Sequence, residues 1–268
     1  MDRLSERLFQ LNAFFVYAFL YAPILILIIY SFNASRYSAV WGGFSLDWYI
    51  KLFQDEAVAQ ALLNSFTVAA VSTLIATALG TMTAFALERY AFRGRALLDS
   101  VLYLPIIIPE IVQAISLLLF FALIFNFMRN LFGFGPELGL PTIIIGHVVF
   151  GISYVTVVIR ARLRGFEKTL EEAAMDLGAD PRQTFMKVTL PLILPGVLGG
   201  ALLAFTLSFD NFVITFFTAG PGSTTLPLMI YSQVRRGVTP EINALSTLIL
   251  LASVGLILLA LAIQRRRL

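Results

Sequence analysis

The sequence predicts an all-α, polytopic membrane protein with six transmembrane helices. Three observations lead there. Only 13% of its 268 residues are charged, while 59% are hydrophobic and the mean hydropathy is +0.86; soluble domains average about 25% charged residues. Six apolar runs are long enough to cross a ~30 Å hydrocarbon layer, which takes about 20 helical residues each. The basic residues collect in alternate connections, as the positive-inside rule requires of a multi-pass chain.

The first run, 11–31, exceeds the roughly 7–15-residue core of a cleaved signal, and no small-x-small site follows it, so it reads as a retained span. From Asn33 to Ala61 the chain carries Trp41, Trp48 and Tyr49 among polar residues, an interfacial loop with a short helix. The second span, 62–87, places Ala76, Gly80 and Ala84 four residues apart. Small residues on one face let membrane helices approach closely; packing within the chain is the expected use, a subunit interface the alternative. The third, 97–125, contains Pro105 and Pro109 and should kink, since proline is tolerated in lipid when neighbours re-satisfy the freed carbonyls. The fourth, 141–163, holds His147, the chain's one histidine, which reads as a hydrogen-bonded packing residue rather than a metal ligand or proton relay. The fifth and sixth cover 191–217 and 243–263. Asn64 and Asn126, near span ends, read as interfacial or capping residues.

Fourteen of the 19 basic residues fall on one side: Arg3, Arg7, Arg89, Arg93, Arg95, Arg160, Arg162, Arg164, Lys168, Arg182, Lys187, Arg265, Arg266 and Arg267. The other side holds Arg36, Lys51, Arg129, Arg235 and Arg236. Both termini and the connection between the fourth and fifth spans therefore face the cytoplasm. Cysteine is absent, which removes disulfide and thiolate chemistry. There is no basic soluble face for nucleic acid, and no phosphate-binding Gly-x-x-x-x-Gly-Lys-Ser/Thr loop.

The cytoplasmic connection, 164–190, is the chain's most polar long segment. Leu170 to Leu177 are good helix formers, and Gly178 suits the C′ position that closes a helix. Asp180-Pro181 then supplies an acidic N-cap and a proline at the first helical position, predicting a second short helix from Pro181 to Val188 that ends before Leu190-Pro191. Ala173 and Ala174 keep the first helix slim, suited to a groove on another protein; a solvated hairpin with no partner is the alternative. The residues also match a known signature. Glu172-Ala173-Ala174, three residues, Gly178, nine residues, Val188, one residue and Leu190-Pro191 resemble the cytoplasmic loop of permease subunits of ATP-binding-cassette importers. The resemblance covers the six-span architecture, a type I importer permease fold over residues 1–268. It implies that Glu172, Ala173, Ala174 and Gly178 contact a separate ATPase subunit dimer, which binds ATP and magnesium. This chain itself would hold no cofactor. It implies also a second permease subunit, a different and related chain, and a periplasmic or lipid-anchored substrate-binding protein.

Ionisable residues within spans are functional candidates by default. Glu110 falls mid-way along the third span and Asp210 in the outer half of the fifth, beside Phe209, Asn211 and Phe212. With no Lys or Arg at that depth, the two acids suggest a path for a cation, with Phe209, Phe212 and Tyr103 able to add cation–π attraction. A structural role for each acid, capping a broken helix or bonding across helices, is the alternative. The stretch from Ser208 through Thr218–Gly222 and Leu226–Ser232 to Gly237–Ala244 resembles the spermidine/putrescine importer permeases. That resemblance implies polyamine cargo and an outer loop, Thr218 to Glu241, that helps receive the binding protein. Permeases for other small solutes share parts of the pattern. An ion-coupled secondary transporter would leave the loop signature without a role.

Overall fold

The computed structural model describes residues 3–36, 40–165 and 169–265. Lys168, Arg266 and Arg267 of the basic set, and 166–168 of the polar connection, lie outside them. The described residues are mostly helical, with only an isolated bridge between Asn33 and Phe44 in place of strands. The helices are α1 (Arg3–Tyr30), α2 (Asp47–Gln54), α3 (Glu56–Arg89), α4 (Arg95–Ile107), α5 (Glu110–Phe132), α6 (Leu140–Arg164), α7 (Thr169–Asp176), α8 (Pro181–Thr184), α9 (Leu190–Phe209), α10 (Val213–Thr218), α11 (Leu226–Arg236) and α12 (Pro240–Arg265). A π-helical turn, Phe185–Thr189, joins α8 to α9. Five segments are long and apolar enough to cross a membrane: Phe9–Tyr30, Glu56–Arg89, Glu110–Phe132, Leu140–Arg164 and Pro181–Phe209. The sixth is α12, whose apolar part runs Pro240–Gly255 among the described residues.

The chain forms two compact units, one made of the stretch up to Ala59 together with that from Met229 onward, the other Gln60–Leu228. In the first, α12 packs with α1 and α2. Its α1–α2 loop is tied through Asn33, whose buried amide donates to Val40 O (2.8 Å) and accepts from Gly42 N (2.7 Å). Trp48 Nε1 donates to Asn33 O (2.9 Å), and Ser31 shares a 2.6 Å hydrogen bond with Tyr49. The expected interfacial loop with its short helix is therefore a hydrogen-bonded knot, with α2 as the helix.

In the second unit the core is the meeting of α3, α6 and α9: Ala84, Val155, Ile159, Leu163, Ile193 and Ala204 are buried together. The small residues of α3 do what was expected of them inside the chain. A methyl at Gly80 would stand 2.8 Å from Val155 Cγ1, and one at Gly151 would stand 2.9 Å from Ala76 Cβ, so α3 and α6 touch almost backbone to backbone.

Two of the expected spans are not continuous helices. The third does not kink at its prolines but ends at Ile107 and restarts at Glu110. Ile108 is extended (ψ 134°), the conformation a following proline imposes. Pro105, by contrast, sits inside α4 without stopping it. Gln113 staples the break by donating to Pro105 O (2.9 Å) and Ile108 O (2.8 Å), re-satisfying carbonyls that would be orphaned in lipid. The fifth span stops at Phe209, not at 217, and a short α10 follows after Asp210-Asn211-Phe212.

Candidate functional site

Two places concentrate polar chemistry. The first is the connection between α6 and α9. Helix α7 ends in paired hydrogen bonds, Gly178 N to Met175 O (2.9 Å) and Ala179 N to Ala174 O (3.1 Å), with Gly178 at φ +89°. This is the Schellman closure that favours glycine at C′. Asp180 Oδ1 then accepts from Gln183 N at 2.8 Å, the acidic N-cap expected from sequence. The second helix departs from expectation: it does not end before Leu190-Pro191. Pro191 lacks the N–H that a regular helix needs at that point. The chain answers with the wider π turn, in which Leu190 N donates to Phe185 O, and continues without interruption into α9.

Of the residues marked on this loop, Glu172, Ala173 and Gly178 are exposed and Ala174 is half-buried. Leu177 is 90% exposed beside them. Helix α7 has no fully buried residue and so leaves most of its surface open. Sequence reading passed over Glu171. Its Oε1 accepts from both Arg89 Nη2 (3.2 Å), at the end of α3, and Thr189 Oγ1 (2.8 Å), in the π turn. Next to this clasp, buried Arg160 of α6 donates to Glu88 (2.7 Å) and forms an ion pair with Asp99 of α4, while Arg164 reaches Glu88 at 3.2 Å. Arg89 and Arg160 thus serve as internal ties as well as counting toward the orientation signal.

The second place is where the two helix breaks meet. Glu110 is not mid-span: it opens α5, where the positive end of the helix dipole favours a carboxylate. Asn211, buried in the α9–α10 break, donates Nδ2 to Glu110 Oε1, and its Oδ1 caps α10 by accepting from Ile214 N at 2.9 Å. Behind it runs a buried hydrogen-bonded series. Thr215 Oγ1 donates to Asn211 O (3.0 Å); His147 joins Thr215 (3.1 Å) through Nε2 and Ser208 (2.7 Å) through Nδ1; Ser208 joins Ser72 (3.0 Å). His147 is therefore the hydrogen-bonded packing residue expected of it. Asp210 stands exposed at the C-cap of α9, where the helix dipole disfavours an anion. A carboxylate at 210 thus works against the dipole of α9. Of the aromatic candidates, Phe209 stacks on Phe205 (5.9 Å) and Phe212 meets Phe216 in a tilted pair (5.4 Å), while Tyr103 is exposed on α4, before the break that Glu110 follows.

At the opposite end of α3, Asn64 Nδ2 donates to Gly222 O (3.1 Å) and Thr224 O (2.9 Å), and Ser65 Oγ accepts from Leu226 N (2.7 Å). The 219–225 loop is thereby held in place, and Thr142 Oγ1 adds a 2.7 Å bond to Thr218 O. Asn126, Arg129, Glu137, Gly220 and Pro221 line a cleft of about 410 Å³ beside it. A methyl at Gly220 would lie 1.8 Å from Leu138 O. Gly220→Ala should therefore lower the thermal midpoint of the detergent-solubilised protein, at an overpacking cost of about 1–3 kcal/mol. An unchanged midpoint would mean that the loop relaxes freely.

A family model described as "binding-protein-dependent transport system inner membrane component" matches residues 76–266. The chain is 46% identical over 242 residues to the putrescine transport system permease protein PotI of Escherichia coli strain K12, covering 90% of this chain and 84% of that one. It is 43% identical over 263 residues to the spermidine/putrescine transport system permease protein PotC of Haemophilus influenzae, covering 97% and 98%. Among solved structures, a bacterial ABC transporter that imports the acidic polysaccharide alginate superposes with TM-score 0.78 at 20% identity, covering 99% of this chain and 96% of that chain.

Proposed function

The chain belongs to the family of binding-protein-dependent transport system inner membrane components, and from that premise we propose that its cargo is a polyamine, putrescine or spermidine. It is a multi-pass inner-membrane permease of an ATP-driven importer and not an enzyme; hydrolysis belongs to a separate subunit. What carries the polyamine assignment is the near full-length likeness to permeases named for putrescine and spermidine. The chemistry of the two breaks agrees with it. Discontinuous membrane helices are a recurrent way to build a solute site in lipid, and Glu110 and Asp210 put two carboxylates at two such breaks. A polyamine carries ammonium groups separated by methylene spacers, so it suits spaced carboxylates with apolar rings between them. Phe209, Asn211 and Tyr103 complete the proposed path.

Residues 1–268 act as one permease domain with both termini in the cytoplasm. The segment 164–190 inserts α7 into an ATPase dimer that binds ATP and magnesium, through Glu172, Ala173, Ala174 and Gly178. A second, related permease completes the pathway, and a periplasmic or lipid-anchored binding protein delivers the cargo to the outer segment Thr218 to Glu241, which includes the 219–225 loop. Closure of the ATPase pair then moves the membrane halves between inward- and outward-open states.

The test is reconstitution of the chain with ATPase, second permease and binding protein in vesicles, followed by uptake of labelled putrescine. Uptake should require internal ATP and be competed by spermidine. Uptake driven by an ion gradient without the ATPase would establish secondary transport instead. ATP-dependent transport that ignores both polyamines would remove the cargo assignment alone.

A further inference from the structure

Helix α3 is an unbroken helix whose two ends are tied to the two surfaces assigned above to partners. At one end Asn64 and Ser65 hold the backbone of the 219–225 loop and the start of α11 through three hydrogen bonds. At the other, Arg89 holds Glu171 of α7, and the neighbouring Glu88 holds Arg160 and Arg164 of α6. Between Asn64 and Arg89 the helix is unbroken and contains no proline, roughly 37 Å of axis at ~1.5 Å per residue. Other segments are interrupted: α4 stops at Ile107 before α5 starts at Glu110, and α9 stops at Phe209 before α10 starts at Val213, whereas α6, packed on α3, runs unbroken beside it. Displacement of one end of a straight, closely packed rod reaches the other end, whereas a broken helix absorbs it at the break.

We propose that α3 is the strut through which docking of the binding protein at the outer loop is felt by the ATPase-docking helix, with Glu171 as the positioning residue that fastens α7 to it. Glu171 suits that part because a single carboxylate oxygen receives both the Arg89 guanidinium and the Thr189 hydroxyl. It joins the end of α3, α7 and the π turn at one point. Arg89 and Glu171 are both mostly shielded from solvent, with side-chain exposures of 9% and 15%, so water screens the pair only partly. Glu172, its neighbour in sequence, is exposed. The division of labour is that Glu172 meets the ATPase while Glu171 transmits.

This inference rests on the importer assignment, and its test separates the two. The complete complex is reconstituted in vesicles, and ATP hydrolysis is measured with and without cargo-loaded binding protein. In Glu171→Ala the ATPase should still co-purify, while the stimulation by binding protein falls about fivefold, a typical size for inter-site coupling. Glu171→Gln, which keeps an acceptor for Thr189 but loses the charge, should lie between Ala and the parent. The exchange Arg89→Glu with Glu171→Arg should recover most of the stimulation. Asn64→Ala, at the far end of the rod, should lower stimulation as well, and combining it with Glu171→Ala should add little further loss because both cut the same strut. Stimulation within twofold of the parent in Glu171→Ala would overturn the strut. So would fully additive losses in the double variant, or loss of ATPase co-purification in Glu171→Ala, which would place Glu171 in the docking surface itself. If the parent complex shows no stimulation by any binding protein, the importer assignment fails rather than the strut.

Discussion

Gly178→Pro is expected to abolish ATP-dependent uptake and to release the ATPase subunit from the detergent-solubilised complex. Gly178 has φ +89°, a region closed to proline, whose ring fixes φ near −65°. The substitution also removes the N–H that donates to Met175 O. The turn cannot then close, and α7 loses its angle to the helix that follows. Gly178→Ala meets only the left-handed cost, about 1–2 kcal/mol, and should keep partial uptake. Neither variant should disturb the membrane body, because Gly178 is exposed and nothing lies within 4 Å of the added carbon. Size-exclusion behaviour and thermal midpoint therefore serve as controls. Full uptake in Gly178→Pro would show that the loop transmits nothing.

Glu110→Gln and Asp210→Asn should each weaken polyamine uptake, with a half-saturation constant about tenfold higher. One charge-assisted hydrogen bond contributes roughly 1.5–3 kcal/mol, and 1.4 kcal/mol is a factor of ten. The two are separable by their effects on stability. Gln at 110 keeps an oxygen for Asn211, so the bond across the two breaks survives and the fold loses only a favourable dipole contact. Asn at 210 removes an anion from the negative end of α9 and should leave stability equal or raise it by about 0.3–1 kcal/mol. A substitution that stabilises the protein while impairing transport identifies a group kept for its work. Unchanged uptake in both variants would end the case for a carboxylate-lined path.

How much of this was readable beforehand depends on what each feature needs. The first, second, fourth and sixth spans, the α7 turn at Gly178 and the Asp180 cap rest on local composition and spacing, and they appear close to the expected residues. The breaks were only half visible. Two prolines stand in the third span, yet Pro105 is accommodated in α4 and Pro109 ends it; the difference involves Gln113, which reaches back to both freed carbonyls. The α9–α10 break contains neither proline nor glycine, and it depends on Asn211 bonding across to another helix. Glu171 was missed for the same reason: its partners, Arg89 and Thr189, are 82 and 18 residues away, and the adjacent Glu172 carried the motif. Contacts between distant helices leave no local period to detect.

The π turn at Phe185–Thr189 bears on how the loop signature is to be understood. A helix converts residue count into rotation, about 100° for each residue. From Asp180 onward the chain is one continuous rod through the wide turn into α9, so the residues separating Gly178 from Val188 are an angle as much as a length. Deleting one of them would turn α7 to face another direction and swing Thr189 away from Glu171, with every side chain of the motif still present. A drive shaft cut one tooth short still spins, but it no longer meshes.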